Sequence, residues 1–261
     1  MASALSGNIF SIFRGKKMIR NKFIHSIPQH SSILELGPFF KPICTGKNVK
    51  YFDILTQEEL VQRAKNITTE DNIRNIPFID YVSPTGDLAI IHDRFDAVIS
   101  SHVIEHQLDL IDHLQKVSNL LIPGGSYYLF IPDKRYCFDH FNNASSIADI
   151  IQAHLDKKQK HSLKSVIEHR ALTTHNIASK HWRGDHGKLE NTSQKIKAAM
   201  EEYHTGAYID VHAWCFTPDS FAEIVTLLQQ MDYIDLAINK IYPTPYKSLE
   251  FYVKLEKKTR E

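Results

Sequence analysis

The chain has 261 residues, of which 43% are hydrophobic, and its 31 Lys and Arg against 30 Asp and Glu give a formal net charge of +1. This length and apolar content can build a large core, so disorder is not expected and one elaborated α/β domain fits. The balanced charge argues against a global attraction to nucleic acid or anionic lipid, and it leaves only a local basic patch open.

The three cysteines, Cys44, Cys137 and Cys215, are widely spaced and include no Cys-x-x-Cys pair. We therefore expect neither a disulfide framework nor a cysteine zinc site, and a reducing, cytoplasmic location fits best. No stretch reaches the roughly 20 apolar residues needed to span a bilayer. The N-terminal segment 1–28 mixes aromatic and basic residues, which favours a helix packed on the domain over contact with a membrane surface.

The first predicted strand ends in an acidic residue and a glycine turn, Glu35 and Gly37. A second short strand, residues 49–53, ends in the carboxylate of Asp53. In a doubly wound sheet an acid at this position holds the two hydroxyls of a ribose. The two acids together predict a pocket for a nucleotide-type cofactor.

The following segments keep strands and helices in alternation. The pattern predicts a helix over 58–65, strands over 78–82 and 95–101, a long helix from Val103 to Leu121 ended by Pro-Gly-Gly at 123–125, and a fifth strand over 127–132. Such alternation implies right-handed crossovers and a parallel sheet, whose ligand site lies beyond the carboxyl ends of the strands. This places Gly37, Asp53, Ser101, His102 and Asp133 along one rim.

Residues 138–210 interrupt this alternation with a polar, histidine-rich segment that contains helical stretches but no convincing strand. A helix then begins after Thr217, which suits an N-cap and is followed by proline at the first helical position. Two strand-like runs, 236–242 and 249–255, predict a terminal antiparallel hairpin. We therefore predict one domain over 1–261, with a largely helical insertion after the fifth strand.

The turn after Glu35 is not a Gly-x-Gly-x-x-Gly fingerprint, because Phe39 and Lys41 stand at its later positions. Side chains there block the close backbone approach that a dinucleotide pyrophosphate needs, which argues against a nicotinamide or flavin cofactor. A strand-to-loop turn that binds no ligand is equally compatible with the turn alone.

The order of several motifs resembles class I S-adenosylmethionine-dependent methyltransferases. The motifs are Glu-x-Gly at 35–37, Asp53, Phe-Asp-Ala-Val at 95–98, Ser-His-Val-Ile-Glu-His at 101–106 and Pro-Gly-Gly at 123–125. The chain looks especially like bacterial methyltransferase-domain proteins with Ile-Pro-Asp-Lys-Arg-Tyr-Cys-Phe-Asp, here at 131–139, and His-x-Trp-x-Phe-Thr-Pro, here at 212–218. The resemblance covers about residues 30–135 and implies a doubly wound, seven-stranded, mostly parallel sheet with S-adenosylmethionine as the cofactor.

The resemblance also implies the residues that bind this cofactor: Glu35, Gly37, Pro38, Asp53, Asp87, Leu88, Ser101 and His102. Asp53 would accept the ribose hydroxyls, and Ser101 and His102 would line the sulfonium side. The chain departs from the family pattern in its glycine loop, which reads Pro-Phe-Phe-Lys at 38–41, and at Pro84, where related sequences often carry an acid near the adenine. Asp87 is the candidate to replace that acid.

Methyl transfer to a hydroxyl needs in-line approach and a base that removes the proton. The candidate bases on the rim are His102, His106, Asp133 and His140, with a structural hydrogen-bonding role as the alternative for each. The candidate acceptor-binding residues are Lys134, Arg135, Tyr136 and Trp182. The cations suit a phosphate or carboxylate, and the indole suits stacking on a sugar.

The run His-Trp-Arg-Gly-Asp-His-Gly at 181–187 holds three potential metal ligands. Its two histidines lack the i, i+4 spacing of a helical zinc motif, and no partner elsewhere is evident from the sequence. We therefore predict no metal site and interpret the run as a loop of the acceptor pocket.

These observations predict a methyltransferase for a small-molecule or saccharide-linked acceptor, with oxygen favoured over carbon or nitrogen. The link to saccharides and glycan assembly comes from the resemblance, and the aromatic and basic loop residues only permit it. A catalytically degenerate binding or scaffold protein is the alternative, because the glycine loop is altered. A nucleic-acid methyltransferase is disfavoured by the charge of +1. The sequence leaves the oligomeric state open.

Overall fold

The computed structural model describes residues 18–28 and 31–259. Seven strands form one sheet in the order β3-β2-β1-β4-β5-β7-β6, and only β7 runs antiparallel to its neighbours. The strands are β1 (Ile33–Leu36), β2 (Val49–Asp53), β3 (Tyr81–Val82), β4 (Phe95–Ser101), β5 (Leu121–Pro132), β6 (Leu236–Tyr242) and β7 (Glu250–Lys257). The predicted fold class is confirmed, and the strand order reverses between β1 and β4, where sheets of this kind bind ligands.

Helices cover both faces of this sheet. They are α1 (helical over residues 18–25), α2 (Gln57–Ala64), α3 (Glu70–Ile73), α4 (Leu110–Leu120), α5 (Ile147–Leu155), α6 (Leu163–Ala171), α7 (Ala178–His181), α8 (Thr192–His204) and α9 (Pro218–Gln230). Helices α5 to α8 lie between β5 and α9 along the chain, where the sequence predicts a helical insertion. Short 3₁₀ turns at Leu88–Ile90 and Ile104–His106 complete the elements.

The core divides between the two faces as the alternation of side chains along a strand requires. In β5, Leu129 packs into the cluster under α4 and α9, whereas its neighbours Tyr128 and Phe130 pack into the cluster under α1 and α2. Phe23 of α1 is fully buried against the rings of Tyr128, Phe130 and Tyr252, with centroids within 5.6 Å. Helix α1 is therefore part of the core.

Residues 1–17, which contain much of the mixed aromatic and basic N-terminal segment, lie outside the described residues. Within the described ranges, no helix combines the length and apolar character needed to cross a bilayer.

The segment after β4 differs from the predicted continuous helix. A 3₁₀ turn at Ile104–His106 comes first, and α4 begins only after Asp109, whose carboxylate accepts the backbone N–H of Asp112. This cap starts a new helix and separates it from the turn. Glu105 and His106 consequently lie at the rim of the sheet instead of inside a regular helix.

Strand β5 begins earlier than the predicted residue 127. Leu121 already pairs with Phe95, and pairing resumes between Ser126 and Ala97 after an irregularity in register. The Pro-Gly-Gly turn at 123–125 therefore forms part of a bulged strand start, which is a common use of glycine at sheet margins. Strand β3 is shorter than predicted, with only Tyr81 and Val82 paired.

Helix α9 begins as the sequence predicts. Thr217 Oγ1 accepts the backbone N–H of Ser220 (3.1 Å), and Ser220 Oγ accepts the backbone N–H of Thr217 (2.9 Å). This reciprocal capping satisfies two helix-start amides that would otherwise lack partners.

We expect Thr217→Ala to lower the free energy of unfolding by about 1 kcal/mol, because it removes the acceptor of this cap. Urea denaturation measures the change, and Thr217→Ser, which keeps the hydroxyl, serves as the control. An Ala variant as stable as the wild type would show that the cap does not stabilise α9.

Candidate functional site

The carboxyl ends of β1 and β4 approach each other closely at Gly37. This residue has φ +65°, and a Cβ placed on it would lie 2.9 Å from Cγ2 of Val103. A side chain is thus disfavoured by both conformation and space, which explains the glycine without a glycine-rich loop. Pro38 is buried directly after it.

Glu35 is 1% exposed, and its two carboxylate oxygens accept the backbone N–H groups of Ile43 (2.7 Å) and Cys44 (3.0 Å). Burial raises the pKa of Glu35 to about 7, against the lowering effect of these two hydrogen bonds. The described contacts make Glu35 the anchor of the loop at 38–44, so any cofactor contact would be added to that role.

Phe39 and Phe40 replace the expected glycines and pack against each other with ring centroids 4.6 Å apart. Both are partly buried against the cluster under α1 and α2, and Arg63 of α2 lies 5.7 Å from the Phe39 ring. Phe39 has φ +42°, which is unfavourable for a non-glycine residue. The altered loop therefore turns its aromatic side chains toward α2.

Asp53 ends β2 with 8% exposure, and its Oδ1 accepts the backbone N–H of Leu55 (3.0 Å). Burial raises the pKa of Asp53. No Lys or Arg among the described residues forms an ion pair with it, so the carboxylate retains hydrogen-bonding capacity for ligand hydroxyls. This environment fits the predicted ribose acceptor.

The predicted adenine side has a different arrangement. Asp87 Oδ1 accepts the backbone N–H of Ala89 (3.1 Å) and pairs with Lys116 (2.9 Å), and this lysine bond lowers the pKa of Asp87. The carboxylate therefore already caps the 3₁₀ turn that follows it. Leu88 is 3% exposed and belongs to the apolar core beside β1 and β2, where it offers packing and no hydrogen bond.

His102 follows Ser101 at the end of β4 and has φ +55°. Its Nε2 lies 3.0 Å from Oε2 of Glu250, and its Nδ1 lies 3.5 Å from Oε1 of Glu105. Burial acts to lower the pKa of His102, but the bond to Glu250 and the charge of Glu105 outweigh it and raise the pKa. Both ring nitrogens face carboxylates, which makes His102 an ionic link between β4 and β7 and a poor base.

Glu105 is fully buried, and within the described part of the chain neither of its carboxylate oxygens has a hydrogen-bond partner. Its backbone oxygen accepts the N–H groups of Ala213 (2.7 Å) and Trp214 (3.1 Å). The segment after the insertion is thereby fixed to the rim. A buried carboxylate without hydrogen bonds is costly, so its retention calls for a functional explanation.

Two histidines flank Glu105, and each is oriented by another carboxylate. His106 Nδ1 lies 3.0 Å from Asp210 Oδ1, and His212 Nδ1 lies 2.6 Å from Asp139 Oδ2. His212 Nε2 is 3.9 Å from Glu105 Oε1. Burial acts to lower the pKa of His106, but the bond to Asp210 and the charge of Glu105 raise it overall. We call Glu105, His106 and His212 the Glu105 cluster.

Asp133 lies in a more enclosed setting than its predicted place on the rim suggests. It is fully buried, and its oxygens accept bonds from the Arg135 guanidinium (2.9 and 2.7 Å), the Arg135 backbone N–H (3.0 Å) and Thr244 Oγ1. These donors occupy the carboxylate inside the protein. The same ion pair occupies two guanidinium nitrogens, so Arg135 is also a poorer anion ligand than the sequence suggests.

The remaining predicted acceptor-binding residues are Tyr136, Trp182 and Lys134. The rings of Tyr136 and Trp182 stack with centroids 3.9 Å apart and planes 5° apart, and the indole N–H donates to the backbone oxygen of Ser248 (2.9 Å). One face of Trp182 is therefore already covered by Tyr136. Lys134 Nζ donates to the backbone oxygen of His140 (3.0 Å) and keeps further donors for an anion.

In the structure, His140 lies close to the two histidines of the run at 181–187, which was not evident from the sequence. His140, His181 and His186 bring one ring nitrogen each within 4.8 Å of one another. The rings of His140 and His186 are stacked, however, with centroids 3.7 Å apart and planes 10° apart. Lone pairs in parallel planes do not converge on one ion, so this group is a weaker metal candidate than its spacing suggests.

Several residues of the site escaped the sequence prediction: Glu105, Asp139, Asp210, His212 and Glu250. Glu105 and His212 lie inside motifs that carried the resemblance, and only their burial and mutual distance reveal their importance. The pairs Asp139–His212 and His102–Glu250 are distant in sequence, and no local pattern joins them.

The His102–Glu250 link predicts a specific pH dependence. Because the pKa of His102 is raised in the folded protein, protonated His102 stabilises the fold. This stabilisation is fully present below the ordinary pKa of 6.5 and is lost as pH rises through the raised pKa. Burial tends to raise the pKa of Glu250, but the bond to His102 lowers this pKa overall. Ionised Glu250 therefore stabilises the fold at pH values above its ordinary pKa of 4.5. We therefore expect Glu250→Gln to lose most stability between pH 4.5 and 6.5, as measured by urea denaturation at a series of pH values.

The wild type serves as the control at each pH, and a smaller, pH-independent loss should remain because Glu250 also pairs with Arg20 at 3.0 Å. An equal loss of stability from pH 5 to pH 9 would contradict the proposed ionic link.

Comparison with known proteins finds one matching domain family. Residues 38–129 match the family model described as a methyltransferase domain. The matched segment is about a third of the chain and contains β2, β3, β4, α4 and most of β5. No curated protein matches the sequence significantly.

Several solved structures are similar in overall fold. A protein assigned as an S-adenosylmethionine-dependent methyltransferase from Listeria monocytogenes is 15% identical, with a TM-score of 0.45, over 94% of this chain and 99% of that chain. An S-adenosylmethionine-dependent methyltransferase from Mesorhizobium loti is 14% identical, with a TM-score of 0.45, over 91% and 96%. Magnesium protoporphyrin IX methyltransferase from Synechocystis, with bound S-adenosylhomocysteine, is 11% identical, with a TM-score of 0.43, over 94% and 85%. These values are too low to support an argument about the acceptor.

The residues at the switch point fit the cofactor of this enzyme class. Gly37 lets the backbone after β1 pack closely against Val103, and the buried carboxylate of Asp53 suits a pair of ribose hydroxyls. They lie in or directly beside the segment that matches the methyltransferase-domain model, in a sheet whose strand order reverses between β1 and β4.

Proposed function

We propose that this protein is an S-adenosylmethionine-dependent methyltransferase that acts on an oxygen atom of a small-molecule or saccharide-linked acceptor. The observation that carries the proposal is the Glu105 cluster, of which Glu105 and His106 lie in the turn after β4, and which adjoins the predicted sulfonium side at Ser101 and His102. Hydroxyl acceptors must lose a proton during methylation, and proton-accepting groups next to the methyl donor serve that need.

In this proposal the chain mainly positions the reactants. Asp53 would hold the ribose of S-adenosylmethionine, which would supply the methyl group when bound, and the rim residues would orient the acceptor oxygen toward it. The proton of the acceptor hydroxyl passes to the Glu105 cluster. The products are the methyl ether or ester and neutral S-adenosylhomocysteine.

The acceptor side favours a substrate with both an apolar face and an anion. Tyr136 and Trp182 form an aromatic stack, and Lys134, two residues before Tyr136 in the chain, provides a cation. Aromatic walls commonly pack against sugar rings, and a lysine suits a phosphate or carboxylate. These features suit a saccharide-linked acceptor.

We expect Asp53→Asn to weaken the binding of S-adenosylmethionine on the order of 10- to 100-fold, because a hydrogen bond to a charged group contributes about 1.5–3 kcal/mol. Isothermal titration calorimetry measures the affinity. The control is Asp93→Asn, since Asp93 is an exposed acid that pairs with Lys50 and does not belong to the rim. A wild type that binds no cofactor even at millimolar concentration would favour the degenerate scaffold instead.

The acceptor class is tested separately by the release of S-adenosylhomocysteine from S-adenosylmethionine. We expect monosaccharides or nucleotide sugars in a hydroxyl-acceptor panel to increase this release, and Asp53→Asn to reduce it at limiting cofactor. Release that depends only on nucleic acid or on amine acceptors would contradict the proposed oxygen chemistry.

A further inference from the structure

We propose that Glu105, His106 and His212 form a binding site for one divalent transition-metal ion. The proposal concerns the same place as the proposed methyl transfer, but metal binding does not depend on that reaction. It departs from the sequence prediction of no metal site, which considered only the histidines at 181–187.

The three side chains lie close enough together to bind one metal ion. One carboxylate oxygen and two imidazole nitrogens lie within 4.8 Å of one another. The rings of His106 and His212 are nearly perpendicular, at 88°, with centroids 4.7 Å apart. Rings at such an angle can direct their in-plane lone pairs to a common point. Small side-chain rotations would then reach the about 2.0–2.2 Å that zinc ligands require.

The hydrogen bonds around the Glu105 cluster determine which ring nitrogens remain available to a metal. Asp210 holds Nδ1 of His106, and Asp139 holds Nδ1 of His212. In the neutral tautomer that donates from Nδ1 to its carboxylate, each imidazole has the lone pair of Nε2 available for a metal. A carboxylate behind each histidine is the usual outer arrangement of metal-binding histidines, where it orients the ring and increases its basicity.

A metal would also account for the unusual state of Glu105. Its side chain is fully buried, and neither oxygen has a hydrogen-bond partner among the described residues. His102 supplies some positive charge at 3.5 Å, but its shorter contact is to Glu250 at 3.0 Å. A divalent cation bound to Glu105 would compensate the remaining cost of burying this carboxylate.

The ligand set indicates the class of metal. Two imidazoles and one carboxylate suit zinc, cobalt and iron(II), whereas magnesium prefers oxygen ligands alone. Three protein ligands leave at least one coordination position open for water or an acceptor oxygen. A hydroxyl bound there would ionise more readily, and the histidines would then act as ligands instead of bases.

The test uses the full-length protein and the metals alone. We expect Zn²⁺ to bind with one equivalent in isothermal titration calorimetry, with release of protons, and Co²⁺ to give visible absorption bands of a protein-bound ion. Excess Mg²⁺ should not compete. Glu105→Gln and His106→Ala should each lose the high-affinity site. Asp210→Asn, at a half-exposed position, should lower Zn²⁺ affinity by about 10- to 100-fold without removing a ligand.

His186→Ala is the matched control, because it disrupts the other histidine group and leaves the Glu105 cluster intact. Its Zn²⁺ affinity should equal that of the wild type, and circular dichroism should show every variant folded. A folded wild type without stoichiometric Zn²⁺ binding would overturn the proposal, as would a site lost in His186→Ala but kept in Glu105→Gln. Cofactor binding measured in the same samples distinguishes this failure from failure of the proposed methyl transfer.

Discussion

The burial of one carboxylate, that of Glu105, determines how the rim and the insertion fit together. Its backbone oxygen binds the amides of Ala213 and Trp214, and its side chain draws the rings of His102 and His212 toward it. A buried charge of this kind is tolerated only where surrounding groups compensate it. The segment that follows the helical insertion is thus joined to the sheet at the point where chemistry is proposed.

The loop that follows β1, at the predicted cofactor-binding edge of the sheet, has an unusual sequence. The glycine-rich loop of related enzymes is replaced by a loop at 38–44, which Glu35 holds through two backbone amides. Only Gly37 must be glycine, since its conformation and its contact with Val103 leave no room for a side chain. Loss of the other glycines therefore leaves the buried carboxylate of Asp53 in place at the end of β2.

The sequence was sufficient for most of the fold and for much less of the site. The alternation of elements, the Thr217 cap and the C-terminal hairpin depend on local patterns, and the structure confirms them. From the sequence, Asp133 was a candidate base and Arg135 a candidate acceptor-binding residue, whereas in the structure the two side chains form an ion pair. That pairing, like the approach of His212 to Glu105, depends on tertiary packing, which no periodicity or motif encodes.

We propose that the edge formed by β1, β2 and β4 binds S-adenosylmethionine beside the Glu105 cluster. A crystal structure of the full-length protein with S-adenosylhomocysteine tests it most directly. We predict that the ribose hydroxyls lie within hydrogen-bonding distance of the Asp53 carboxylate and that the sulfur lies near Ser101 and His102. A pocket filled by Phe39, with the ligand bound elsewhere or not bound, would contradict the claim.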